Sequence, residues 1–295
     1  MDQTDLQRQA DALHEEGATL ADAGDRDAAL GKYMAALALD MQRPNTLYNV
    51  GLYHKHRGAW AESFRYNKRA VEIRPTMEAA NWNLAIAATA LRDWATARAC
   101  WQRVGVKLPD GVGPINGDFG STVVRLNPDG EAETVWATRL CPVRARIENI
   151  PFPESGFAWG DVVLHDGAPM GTRLDSHGRE QHVFNVLEMF EPALLSTYGV
   201  DVIVAGPEDI DVLRELARAA DRWMEDWSGD VRMLCKACSE GRAHEAHDHD
   251  GGPGPWDAER QIGIAGASEE EVERLLDQWI GPGREVKDWG VALER

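Results

Sequence analysis

Apolar and small residues in the first third of the chain recur at helical spacing, and the pattern then recurs 34 residues on. Leu47, Val50, Gly51 and His54 lie three and four apart, on one face of a helix. Trp60, Phe64 and Ala70 line a second helix, which Pro75 ends because proline removes an amide donor and clashes with the preceding turn. Gly58 stands between the two, where a residue in the left-handed conformation closes the first helix. With the same shift, Arg26, Trp60 and Trp94 align, as do Ala29, Ser63 and Ala97, then Ala36, Ala70 and Val104, then Met41, Pro75 and Pro109. Gly24 and Gly58 keep step, with Arg92 at the third site. Agreement at so many offsets predicts three stacked helix–turn–helix units over residues 1–109.

A unit of this length resembles the tetratricopeptide repeat. The resemblance implies an α-solenoid whose first helices line a concave groove for a protein or peptide. The positions facing that groove include His14, Ala18, Tyr48, Leu52, Lys55, Trp82, Ile86 and Thr89. Tyr48, Leu52, Lys55, Trp82 and Ile86 are its expected partner-binding centre. Members of the family that grip chaperone C-terminal carboxylates need Lys and Asn where His14 and Ala18 stand here, so such a tail is not the expected ligand. A second outcome stays open. Three repeats leave exposed ends, and no fourth helix pair follows Pro109, so the chain's own C-terminal part is an alternative cover for Tyr48 and Trp82.

After Pro109 the period-34 pattern stops. Residues 110–117 form a Gly- and Pro-rich cluster that reads as a linker. Short β-like runs follow at Ser121–Leu126, Glu133–Leu140, Val143–Ile147 and Asp161–Leu164, with turn residues between them. Residues 118–195 are therefore expected to form a small β-rich domain, a barrel or sandwich. Val135-Trp136-Ala137, Glu148-Asn149-Ile150-Pro151-Phe152 and Trp159-Gly160-Asp161-Val162-Val163 resemble the core motifs of an uncharacterised bacterial domain family. That family has no assigned chemistry, so the resemblance implies no activity. His165, His177 and His182 are scattered here and read as surface or hydrogen-bonded residues rather than a site.

Residues 196–295 hold two echoing segments. Asp201–Gly206 and Gln261–Gly266 are β-like, and each leads into an acidic helix start. Ile210, Leu213, Leu216 and Ala217 mark one amphipathic helix, and Val272, Leu275, Leu276 and Ile280 the other. Each half then reaches Asp-Trp and a further β-like run, Val231–Leu234 in one and Val291–Leu293 in the other. This βαβ pattern written twice resembles a ferredoxin-like α+β domain. Between the halves, residues 235–250 contain Cys235-x-x-Cys238 followed by His244, His247 and His249. Two thiolates on one tight turn, with His244 and either His247 or His249, suit the tetrahedral geometry of Zn2+. The expectation is a structural zinc-type site.

Composition narrows the function classes. The net charge is −18, and residues 111–295 hold 17 basic against 35 acidic residues, so the excess lies after the repeats. Such a surface repels a phosphate backbone, and nucleic-acid binding is not expected. No apolar run approaches 18 residues, no charged-then-apolar leader opens the chain, and four cysteines do not make a disulfide scaffold. A cytoplasmic protein without a membrane partner is the expectation. The motifs of phosphate loops, dinucleotide sites and nucleophile elbows are absent, and His244 and His247 are three apart where a zinc-protease helix needs four. The leading reading is a non-enzymatic adaptor. The alternative is a metal-dependent or thiol-redox enzyme acting at the Cys/His loop, with ligand count as discriminator: four close the site and three leave it open.

Overall fold

The computed structural model describes residues 3–175, 177–229 and 256–295. The chain divides into two units, Met1–Gly117 and Asp118–Arg295.

The first unit is built from six helices: α1 (Gln3–Asp22), α2 (Arg26–Leu39), α3 (Pro44–Lys55), α4 (Trp60–Ile73), α5 (Glu78–Ala90) and α6 (Trp94–Arg103). The second helices start at Arg26, Trp60 and Trp94, 34 residues apart, and α3 and α5 start at Pro44 and Glu78 with the same offset. Asp25 and Asp93 cap α2 and α6 through their carboxylates, accepting from the Ala28 and Thr96 N–H groups at 3.0 and 3.1 Å. Gly24, Gly58 and Arg92 all take positive φ, so the third turn keeps the left-handed backbone without glycine. Gly17 and Gly51 let the helices of a pair approach closely. A Cβ at Gly17 would lie 2.7 Å from the Tyr33 ring, and one at Gly51 would lie 2.3 Å from the Asn67 amide.

Residues 110–117, expected to be a linker, are fastened to this unit. Arg98 of α6 donates to the carbonyls of Gly113 (2.9 Å), Pro109 (2.8 Å) and Pro114 (3.3 Å), and Ile115 is fully buried. One planar guanidinium thus satisfies three carbonyls of a segment that has no ladder of its own.

In the second unit, β1 (Ser121–Leu126), β2 (Glu133–Cys141), β3 (Arg144–Ile147), β4 (Val162–Leu174) and β5 (Glu180–Glu191) pair antiparallel in sequence, and β5 returns to pair with β1 in parallel. This closes a barrel around Val124, Leu126, Val135, Ala137, Ala145, Ile147 and Val163. The β4–β5 arm exceeds what the pattern predicts: β4 runs ten residues past Leu164, to Leu174, and β5 is not foreseen. His165-Asp166-Gly167 reads as a turn, yet β4 absorbs it at irregularities in its pairing with β5.

The remaining elements are β6 (Ser196–Val204), α7 (Pro207–Ala219), β7 (Trp223–Asp226), β8 (Glu259–Gly266), α8 (Glu269–Trp279) and β9 (Arg284–Leu293). Their sheet order is β7-β8-β6-β9, antiparallel throughout. Both helices pack their apolar stripes on one face, where Leu213, Leu276 and Trp279 meet Val200, Val202 and Ile262. The strand after α7 falls earlier than expected. Asp221 takes φ 56° and ends the helix, so the chain enters β7 at Trp223, while Val231–Leu234 lie outside the described residues.

The segments around Asn149-Ile150 and Asp161 form the seam between barrel and sheet. Asn149 and Ile150 bond to Glu225 of β7, and the Trp227 indole donates to the Ile150 carbonyl at 3.0 Å. Asp161, fully buried, accepts from the Ala158 and Ala193 N–H groups, both at 2.7 Å, and pairs with Arg295 at 2.7 Å.

Candidate functional site

The helical unit carries a groove of about 320 Å3 between its first and second helix pairs. Ala18, Ala21 and Asp22 of α1, Arg26, Leu30 and Tyr33 of α2, and Asn49, Leu52 and Tyr53 of α3 line it. Small residues on α1 hollow it out, and Leu52 supplies an aliphatic wall. The Tyr33 hydroxyl bonds to the Asn49 side chain, and burial pushes its pKa up. The Tyr53 hydroxyl donates to Asp27 at 2.5 Å, and Arg57, which also pairs with Asp27, lies 4.7 Å over the Tyr53 ring. Both phenols are therefore held in place before any ligand arrives.

Next to it, α1 and the start of α3 form a polar hollow. His14 shares a hydrogen bond with the Thr46 hydroxyl at 2.9 Å, and Asp11 pairs with Arg43 at 2.5 Å. Burial pushes the His14 pKa down from its ordinary value, which favours the neutral ring. Glu15 and Asp22 are exposed on the same helix.

The five expected groove residues separate. Leu52 lines the groove and Tyr48 is half-buried. Lys55 is only 5% exposed and Ile86 only 1%, so neither is an open groove position. The reason lies in α5, which packs against α3, α4 and α6 and is buried from Ala80 through Thr89 at every residue but Trp82. Trp82 itself stands edge-on to buried Trp101, with ring centroids 4.7 Å apart. Tyr33, Leu30 and Tyr53 were not foreseen as lining residues, because the groove dips between a second helix and the following first helix.

Cys235, Cys238, His244, His247 and His249 lie outside the described residues. Among the described residues no group of three His, Cys, Asp or Glu is arranged to hold a metal, and no helix is long and apolar enough to cross a membrane. His165 is fully buried in the barrel against Phe184, with ring centroids 4.8 Å apart.

The helix pairs, their constant offset and the glycine contacts define the first unit as tetratricopeptide-like. No protein family and no curated protein matches the chain. Among solved structures it is similar to the second tetratricopeptide domain of Spaghetti (RPAP3) bound to the HSP90 peptide SRMEEVD, at 18% identity and a TM-score of 0.33, over 35% of this chain and 88% of that one. It is also similar to the first such domain of the same protein with the same peptide, at 22% identity and a TM-score of 0.31, over 33% of this chain and 77% of that one.

Proposed function

We propose that this chain is an interaction protein whose helical unit holds a peptide segment in the groove between α1, α2 and α3. The observation that carries the reading is that groove itself: about 320 Å3, with Ala18, Ala21 and Leu52 beside two positioned tyrosines. An aliphatic side chain fits it, and Glu15 and Asp22 on the exposed side of α1 favour basic flanking residues. His14 and Ala18 stand where carboxylate-gripping relatives of the repeat carry Lys and Asn, while Arg26 at the groove is a cation that an acidic group could reach, so the acidic tail SRMEEVD is the comparison ligand. Fluorescence anisotropy on the full chain, with labelled basic–aliphatic peptides beside SRMEEVD, tests this. Ala18→Glu fills the groove, and it should abolish binding of the basic peptides without changing helical content. Equal binding by wild type and Ala18→Glu would remove the groove from the function.

The second unit is proposed to be a small barrel joined to a ferredoxin-like domain; the β6-α7-β7-β8-α8-β9 order with sheet order β7-β8-β6-β9 supports the latter reading. A structural Zn2+ held by Cys235, Cys238, His244 and either His247 or His249 is proposed with it. Asp226 pairs with Ile262, so the connection between β7 and β8 leaves and returns at neighbouring strands, and a metal would staple so long an excursion. Three ligands instead of four would favour the enzymatic alternative.

A further inference from the structure

In the second unit, where the acidic excess lies, one cleft collects arginines. It holds about 330 Å3. Arg214 and Arg218 follow one another by a turn of α7, and Arg222 comes one turn later, just past the helix end; all three line the cleft.

Three carboxylates line it too, and each already has partners. Asp226 takes the Arg260 guanidinium at 2.5 Å. Glu148 takes Arg146 at 3.1 Å. Glu225 accepts the Asn149 amide at 2.8 Å and the Ile150 N–H at 2.7 Å. The arginines are engaged differently. Arg222 pairs with Glu271 at 2.7 Å. Arg214 pairs with Asp211 on its own helix, an exposed contact of little energetic weight. The Arg218 side chain is exposed and makes no ion pair or hydrogen bond among the described residues. Two guanidiniums one helical turn apart are therefore available to a ligand, while the neighbouring acids are occupied. Trp223, 38% exposed and stacked on Trp159 with centroids 6.1 Å apart, supplies a planar wall to the same cleft.

We propose that this cleft binds a compact phosphomonoester, its phosphate between Arg214 and Arg218 and its planar group against Trp223. The guanidinium fork matches phosphate oxygens in pairs, and Arg and indole faces both accept a planar ring. The volume suits a molecule of nucleoside-monophosphate size. The competing account makes the arginines a solvated helix face with Arg218 complementing the negative end of α7, and it predicts no saturable binding.

Isothermal titration of the full chain with adenosine monophosphate, inorganic phosphate and adenosine separates these. Adenosine monophosphate should saturate, phosphate should bind about tenfold more weakly, and adenosine should not bind. Arg214→Ala with Arg218→Ala should cost at least about tenfold while the melting curve stays unchanged, because both side chains are solvent-facing. Trp223→Ala should bring adenosine monophosphate down to the affinity of phosphate. Absence of saturable binding by either anion, or full affinity in the double alanine variant, would overturn the proposal. Phosphate binding as tightly as the nucleotide would overturn the role given to Trp223. The groove on the helical unit is not involved in any of these outcomes.

Discussion

Glu225 and Asn149 are 76 residues apart in the chain, yet the Glu225 carboxylate accepts the Asn149 amide at 2.8 Å. The other carboxylate oxygen takes the Ile150 N–H at 2.7 Å, and the Asn149 side-chain Oδ1 accepts the Trp136 N–H at 2.6 Å. A single acid on β7 therefore holds the Asn-Ile-Pro-Phe segment against the sheet. Hydrogen bonds to a charged group are each worth about 1.5–3 kcal/mol, so Glu225→Ala should destabilise the second unit by about 3 kcal/mol. Glu225→Gln should cost less, since one acceptor remains. Urea unfolding followed by tryptophan fluorescence reads this out. An unchanged midpoint in Glu225→Ala would show that apolar packing alone carries the seam.

Two glycines of the helical unit should respond in opposite directions. Gly51→Ala drives a methyl onto the Asn67 amide, which is buried and donates to the Ser63 carbonyl at 2.8 Å. The expected cost is about 1–3 kcal/mol. Gly31 is exposed within α2 with nothing near its absent Cβ, so Gly31→Ala should stabilise by about 0.5–1 kcal/mol. Thermal melts of both variants against wild type give the comparison.

Trp82 and Ala18 should separate stability from binding. Trp82→Ala removes the edge contact with Trp101 and should lower stability by about 2 kcal/mol. Ala18→Glu changes a groove-lining side chain and should leave the melt within about 0.5 kcal/mol of wild type. If Ala18→Glu also unfolds the unit, that position belongs to its core.

His165 makes the barrel sensitive to acid. Burial pushes its pKa down from 6.5 to about 4, and nearby Arg139 adds to the effect. Its Nδ1 meets the Asp166 carbonyl at 2.8 Å, while Nε2 has no partner among the described residues. The folded state therefore holds the neutral ring. The stabilisation is complete above the unfolded value near 6.5 and is lost as pH falls toward 4, amounting to about 3 kcal/mol at most. His165→Phe should flatten the decline of stability between pH 6.5 and 4. Asp175, held down to about 2 chiefly by the Arg179 backbone N–H, loses its contribution only below its ordinary 3.8, so the two groups titrate in different windows. An identical decline in His165→Phe would assign the acid sensitivity elsewhere.

For the proposed zinc, elemental analysis of protein purified without a His tag should find about one zinc per chain. Cys235→Ser with Cys238→Ser should remove it and lower the melting temperature of the second unit, while the helical unit melts nearly unchanged. Either His247→Ala or His249→Ala alone should have a weaker effect, because the neighbouring histidine can replace the lost ligand. Wild-type protein free of zinc, melting as the double serine variant does, would withdraw the site.

What the sequence determined by itself is local and periodic. A period of 34 places the starts of α2 to α6, and the positions of Gly17 and Gly51 mark where pairs approach, because helix faces and close contacts follow from spacing alone. The strands β1 to β3 and the two amphipathic helices of the last part were legible for the same reason. Tertiary structure decided the rest. Spacing places Ile86 and Lys55 on the groove side of their helices, but only the packing around them reveals that both are covered. Arg98 gives no sign in the sequence that it anchors residues 109–114, since its three acceptors are backbone carbonyls present at every residue. Arg214, Arg218 and Arg222 are visibly one helix face, yet the cleft exists only because the Asn149 seam brings the barrel beside α7 and β7. Periodicity reports which face a residue occupies, whereas burial and neighbouring charge depend on segments distant in the chain, and these are joined only when the fold closes.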